Sequence, residues 1–179
     1  MPEGIELPES PEEHRDNPYL IPVSVTISTL AVLVAAVTLL GHRAHTEELL
    51  LQSQATDQWA YYQAKNIRLH EVQGIADMLS ALAPADKEKA EALHEKYKKE
   101  VERYEGDKED ISEKAKELEK ERDHIGRRAD RFDGGEGLIE VGLVICSMTL
   151  LTKRRGYWFA GMLIGAGGVA FALSAFLLH

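Results

Sequence analysis

Not one charged side chain occurs between Asn17 and Gly41, and none between Gly156 and Leu178. The chain has 179 residues, of which 28% are Asp, Glu, Lys or Arg, so charge and apolarity are segregated along it. Each uncharged run is long enough to cross a hydrocarbon core of ~30 Å at ~1.5 Å of helix rise per residue. Residues 19–41 read as a first transmembrane helix, with Pro22 in the opening turn, where a missing N–H matters little. Residues 156–178 read as a third.

A second span must be found between them. The stretch from Val141 to Thr152 is uncharged but short, so the span needs residues 138–152, which places Glu140 at or inside the interface. Asp133, Gly134, Gly135 and Gly137 precede it and predict a hinge. Small residues mark expected helix contacts, because they let membrane helices approach closely. In the first span Ser24, Ser28, Ala31, Ala35 and Thr38 form one stripe, suited to packing within the molecule or to lining a pore. In the third, Gly161 and Gly165 have GxxxG spacing, and Ala166, Ala170 and Ser174 make a second ridge.

Residues 42–133 carry nearly all the charge and hold a single proline, Pro84, near their midpoint. They predict an extramembrane helical hairpin reaching roughly 60 Å from the bilayer, with its turn near Pro84 and Asp86 as N-cap of the second arm. Arm one repeats apolar or aromatic residues at Leu51, Ala55, Tyr62, Leu69, Val72, Ala76 and Leu79. Arm two follows four-three spacing through Tyr97, Val101, Tyr104, Lys108, Ile111, Ala115, Leu118, Arg122, Ile125, Ala129 and Phe132. That is a coiled-coil seam interrupted by Lys108 and Arg122. Glu113 with Lys116 and Glu117 with Lys120 sit on its solvated face, where such pairs contribute roughly 0.2–0.5 kcal/mol each.

A two-helix stalk has a narrow core, and charged seam positions weaken it further, so the pattern predicts a homo-oligomer. Trp59, Tyr62, Tyr97, Tyr104, Ile111, Leu118 and Ile125, with Gly161 and Gly165 in the third span, are the expected interface residues, within the hairpin or between subunits. Counting around Pro84 sets Tyr62 opposite Tyr104. The fold class is therefore all-α: three transmembrane helices with a long antiparallel coiled-coil hairpin between the first and second. Residues 1–18 hold six carboxylates against Arg15 and four prolines, a composition expected to stay disordered. They lack the positive start of a signal peptide.

Several function classes fall away. A net charge of -9 with no basic face argues against nucleic acid as a partner. Cys146 is the only cysteine, so no intrachain disulfide and no cysteine-based zinc site can form. With no phosphate-binding glycine loop and no nucleophile elbow, the sequence predicts neither an enzyme nor a cofactor. One polar constellation stands out. In an antiparallel packing of the first two spans, Glu136 and Glu140 lie level with Thr38, His42 and His45. His42, His45, Glu136 and Glu140 are then candidate metal or proton ligands. The plainer use of Glu140 is to reach headgroup water and fix the register of stalk and bilayer.

Orientation follows from basic residues in short loops. Lys153, Arg154 and Arg155 make a basic turn, with Tyr19, Tyr157 and Trp158 as an aromatic belt on the same side. That side is read as cytoplasmic together with the tail, and the stalk as periplasmic, although Arg43, Arg127, Arg128 and Arg131 nearly balance the count. The block Asp57-Gln58-Trp59-Ala60-Tyr61-Tyr62-Gln63-Ala64-Lys65, with Leu39-Leu40-Gly41-His42 and the Leu151-Thr152-Lys153-Arg154-Arg155 and Tyr157-Trp158 junction, resembles a bacterial membrane-protein family catalogued only as a domain of unknown function. The resemblance implies a three-span inner-membrane protein with a helical insertion and brings no catalytic residues. Two functions are expected to compete. One is a scaffold or partner-docking protein acting through the stalk; the other is a channel or transporter subunit using Glu140 and the His42/His45 face.

Overall fold

The structure, a computed structural model, describes residues 19–81 and 87–178. It is helical throughout: α1 spans Leu20–Ala81, α2 Lys87–Thr152 and α3 Arg155–Leu173, and a 3-10 turn follows at Ser174–Leu177. No strand occurs among the described residues. The acidic tail and the turn at Pro84, with its expected cap Asp86, lie outside them. Each of the three helices contains a stretch long and apolar enough to cross a membrane.

The chain divides into two compact units. One comprises the residues up to Arg43 and those from Arg128 onward; the other is Ala44–Arg127. In the first, apolar unit, α1 buries Val23, Leu30 and Val37, seven residues apart. The buried residues of α3 are Gly161, Gly165, Gly168 and Ala172, and Ala175 continues the row in the 3-10 turn. A row of glycine and alanine at four-three spacing has no side chains to hold a neighbour away, so α2 comes to backbone contact. A Cβ placed on Gly142 would lie 2.7 Å from the Gly161 carbonyl oxygen, and one on Gly161 would lie 2.6 Å from that of Gly142. Gly135 and Gly168 make the same kind of approach: a Cβ on either would come within 2.9 Å of the other's carbonyl oxygen.

Three expectations change here. The glycines at 134–137 form no hinge, because α2 runs unbroken through them. Their missing side chains serve packing: Gly135 lies against Ala172, and Gly134 under the Phe171 ring. The stripe Ser24, Ser28, Ala31 and Ala35 is exposed in the single chain, since the inward line of α1 runs through Val23, Leu30 and Val37 instead. In α3 the second ridge is likewise outside, with Ala166 and Ala170 exposed, while the GxxxG pair Gly161 and Gly165 is buried as expected.

In the polar unit α1 and α2 supply two arms that run antiparallel. Gln52 is bonded to Arg122, Trp59 to Glu119, and Asn66 to Lys108, so partners rise along one arm as they fall along the other. Leu51, Ala55 and Leu69 are buried from arm one, and Tyr104, Ile111, Ala115 and Ile125 from arm two. The expected glutamate–lysine pairs at Glu113 and Glu117 do not form. Pairs along this arm include Lys99 with Glu95 and Arg103 with Glu100, both at 3.4 Å, and Arg122 with Asp123 at 2.6 Å.

Candidate functional site

The four candidate ligands are divided between the two units, His45 in the polar one and His42, Glu136 and Glu140 in the apolar one. Glu136 is half-buried, and the Thr38 hydroxyl lies 2.6 Å from its Oε1, which joins the first and second apolar segments as the sequence predicts. The same hydroxyl also lies 2.9 Å from the Val34 carbonyl oxygen, and its single proton can serve only one of the two. Glu140 is exposed and makes no hydrogen bond or ion pair with another described residue. His42 is exposed in the apolar unit, whereas His45 belongs to the polar unit, where its Nδ1 is 3.3 Å from Glu48. Among the described residues no group of three or more His, Cys, Asp or Glu could hold a metal ion.

The denser polar chemistry lies in the stalk. Lys65 on arm one donates to Asp107 on arm two at 2.7 Å, and its ammonium lies 5.1 Å from the Tyr104 ring centroid and 5.5 Å from that of Tyr61. Lys108 on arm two donates to Asn66 on arm one at 2.5 Å and lies 5.1 Å from the Tyr62 ring. Each arm thus places a lysine over a tyrosine of the other, a crossed pair of cation–π contacts. The hydrogen bond from Asp107 raises the Lys65 pKa above its ordinary 10.5. Trp59 adds an edge contact to Tyr62 at 5.6 Å and donates its indole N–H to Glu119 at 2.9 Å.

This lattice is built from the aromatic block at residues 57–65. The chain belongs to the family described as a domain of unknown function, DUF4337. The match covers residues 19–178, so it takes in all three helices. No curated protein and no solved structure matches it.

Two sequence readings of this DUF4337 stalk are altered by the geometry. Lys108 and Arg122 were expected to interrupt the seam. Instead Lys108 holds Asn66, and Arg122 donates to Gln52 at 2.6 Å and to the adjacent Asp123. Polar groups at seam positions that pair in only one alignment specify register. Tyr62 and Tyr104 do not meet ring to ring; each faces the opposite arm's lysine. The remaining expected interface residues, Tyr97, Ile111, Leu118 and Ile125, are buried or half-buried within the single chain, as are Trp59 and Tyr62.

A further surface was not foreseen. Arm one exposes Leu49 (70%), Leu50 (57%), Tyr61 (51%), Ile67 (60%), Ile75 (44%) and Met78 (64%), whereas arm two exposes only Leu93 among its described large hydrophobics. At ~100° per residue these six fall within an arc of roughly 120°. Ser53, Ala60 and Ala64 fill the arc between them, and Asp57, Arg68 and Glu71 are its charges. The signal is present in the sequence, but the repeat through Leu51, Ala55, Tyr62, Leu69, Val72, Ala76 and Leu79 leaves these six residues out.

The apolar unit has its own polar end. Two residues, Lys153 and Arg154, link α2 to α3, and Lys153 takes a left-handed conformation with φ 53°. Its N–H caps α2 by donating to the Thr149 carbonyl at 2.9 Å. The Tyr19 hydroxyl donates to the Lys153 carbonyl at 2.8 Å, and the Arg155 guanidinium lies 4.9 Å from the Tyr19 ring centroid. Trp158 donates to Thr26 at 3.2 Å. Tyr19, Trp158 and the basic turn therefore share one end, as the expected belt requires.

Proposed function

We propose that this chain is a three-span protein of the bacterial inner membrane, whose coiled-coil hairpin between the first and second spans is a self-assembly and docking stalk. The exposed apolar arc of arm one carries this reading. An apolar face of this extent outside the apolar unit is the physical mark of a protein contact. Arm two, whose outer face is dense in Glu and Lys, offers no equivalent. The occupant of the arc is a second copy of the chain. Copies sharing one bilayer point the same way, so their first arms meet in parallel around an axis normal to the membrane. The basic turn faces the cytoplasm and the stalk the periplasm.

The test is the oligomeric state of detergent-solubilised full-length protein by native mass spectrometry, comparing the wild type with Leu50→Gln/Ile67→Gln/Met78→Gln. These side chains are exposed in the single chain, so the variant should keep its helix content while the oligomer falls to monomer. An oligomer that survives the triple change removes the reading.

A channel or transporter subunit is the second reading, and Glu136 beside Thr38 is the observation that favours it, since a half-buried carboxylate bonded to a residue of the first span is a candidate for a functional role. Proton or cation flux in liposomes that disappears with Glu136→Gln supports it. A sealed liposome containing intact oligomer rejects it.

A further inference from the structure

We propose that the turn between α2 and α3 binds the phosphate of an acidic phospholipid headgroup. Lys153, Arg154 and Arg155 are consecutive and exposed, and none of them pairs with a carboxylate among the described residues. What sets them apart is position: three cations on adjacent residues, at the turn where two apolar helical segments of the same unit meet. Three exposed cations on adjacent residues concentrate positive charge at one point and attract an anion there.

The backbone at this turn is fixed for the purpose. Tyr19 holds the Lys153 carbonyl, so the lysine side chain is free of the hydrogen bond that anchors its own residue. A left-handed conformation disfavours any residue with a Cβ, and glycine is the usual occupant. A lysine stands there instead, φ 53°, where its charge joins those of the next two residues.

The surroundings choose a lipid over a free anion. Immediately beside the cations, Leu151 is 85% exposed, Ile21 69% and Phe159 61%, so the apolar surface begins where the charge ends. A phospholipid matches both parts, its phosphate on the cations and its acyl chains along Leu151 and Phe159. Inorganic phosphate matches only the first. Clustered Lys and Arg beside apolar segments attract anionic lipid with on the order of fivefold per cation, hence roughly a hundredfold for three.

The inference rests on the membrane-spanning reading, and its test separates the two. Wild-type full-length protein is incubated in micelles with equal phosphatidylglycerol and phosphatidylcholine, and retained lipid is counted by native mass spectrometry. Phosphatidylglycerol should be retained preferentially, and K153Q/R154Q/R155Q should lose roughly a hundredfold of that preference. Arg154→Gln alone should lose part of it without touching the Tyr19 contacts, and Lys153→Arg should keep it. Equal retention of the two lipids by the wild type overturns the proposal, as does displacement of phosphatidylglycerol by excess inorganic phosphate. Release of the chain from membranes by alkaline carbonate would instead overturn the spanning reading itself.

Discussion

In the apolar unit the buried positions of α3 hold Gly161, Gly165, Gly168 and Ala172, whereas the inward positions of arm two hold Tyr104, Ile111, Ala115, Leu118 and Ile125. Both rows follow four-three spacing, and the side chains that fill them are near opposites in size. On the membrane-spanning reading proposed above, the solvent accounts for the contrast. In water, burying apolar area stabilises by about 25 cal/mol per Å², so large side chains are favoured at the seam. In a bilayer the surrounding lipid is as apolar as leucine, and helices gain instead from close backbone approach. The polar contacts divide in the same way. The stalk is tied across its arms by Trp59–Glu119, Lys65–Asp107, Lys108–Asn66 and Arg122–Gln52. In the apolar unit Thr38–Glu136, Trp158–Thr26, Tyr19–Lys153 and Arg131–Ser174 lie outside the glycine row, which needs none of them.

The chain has two tryptophans, and each unit holds one, Trp59 and Trp158. Replacing either with Phe leaves a fluorescence reporter for the other unit. The largest effect should come from Tyr104→Ala, read through Trp59. Tyr104 is 7% exposed and receives Lys65 on its ring face, so its loss should destabilise the stalk by about 3 kcal/mol. Tyr61→Ala, at 51% exposure, should stay within about 0.5 kcal/mol. A Trp158 signal that moves as much as that of Trp59 in Tyr104→Ala would break the division into separately stabilised units.

The next prediction sets neighbouring glycines against each other. A Cβ on Gly168 would lie 2.8 Å from the Gly135 carbonyl oxygen, so Gly168→Ala should destabilise the apolar unit by about 1–3 kcal/mol. A Cβ on Gly167 meets nothing within 4 Å, and Gly167→Ala should stabilise the same helix by about 0.5–1 kcal/mol. Thermal unfolding in detergent, followed through Trp158, gives both signs. Equal effects from the two substitutions would mean that backbone approach does not hold this unit together.

How much of this contrast could be read from the sequence depends on how far apart the partners lie. The uncharged runs, the arms and the Gly161–Gly165 pair are local patterns and were legible. Gly135 and Gly142 were not, because a glycine between polar and apolar residues looks like a break until α3 is aligned against it. Lys108 and Arg122 looked like flaws in the seam, since their partners Asn66 and Gln52 lie 42 and 70 residues away. The crossed lysine–tyrosine contacts depend on the same long-range register. Glu136, and not Glu140, emerged as the bonded carboxylate because a shift of four residues along a helix end is finer than composition can fix.

A smaller effect separates the units by what they do with a stranded polar atom. Thr149 is fully buried in the apolar unit, and its hydroxyl has no hydrogen-bond partner. Thr149→Val removes that unsatisfied group at constant shape and should stabilise the unit by about 1 kcal/mol. In the stalk the buried hydroxyl-bearing ring is Tyr104, and shortening it removes packing, so the two substitutions should differ in sign as well as in size. Destabilisation by Thr149→Val in detergent would show that its hydroxyl is engaged.

The smallest effect is a pH dependence confined to the stalk. Lys65 has its pKa raised above 10.5, first by the Asp107 hydrogen bond, with Tyr61 contributing. A lysine whose folded-state pKa exceeds its unfolded value stabilises the fold fully below 10.5, and that contribution is lost as pH rises through the folded value. Unfolding followed through Trp59 should therefore show no pH dependence from Lys65 at neutral pH, where its contribution is fully present, and a decline attributable to it only above 10.5. The comparison that isolates the lysine is Lys65→Arg, whose guanidinium stays charged throughout. The variant should lose less stability than the wild type over that window, and the Trp158 signal should be the same in both chains. Parallel alkaline profiles for wild type and Lys65→Arg would mean that the lysine between Asp107 and the tyrosines is a bystander, and that the arms are held by the seam and the remaining cross-arm contacts.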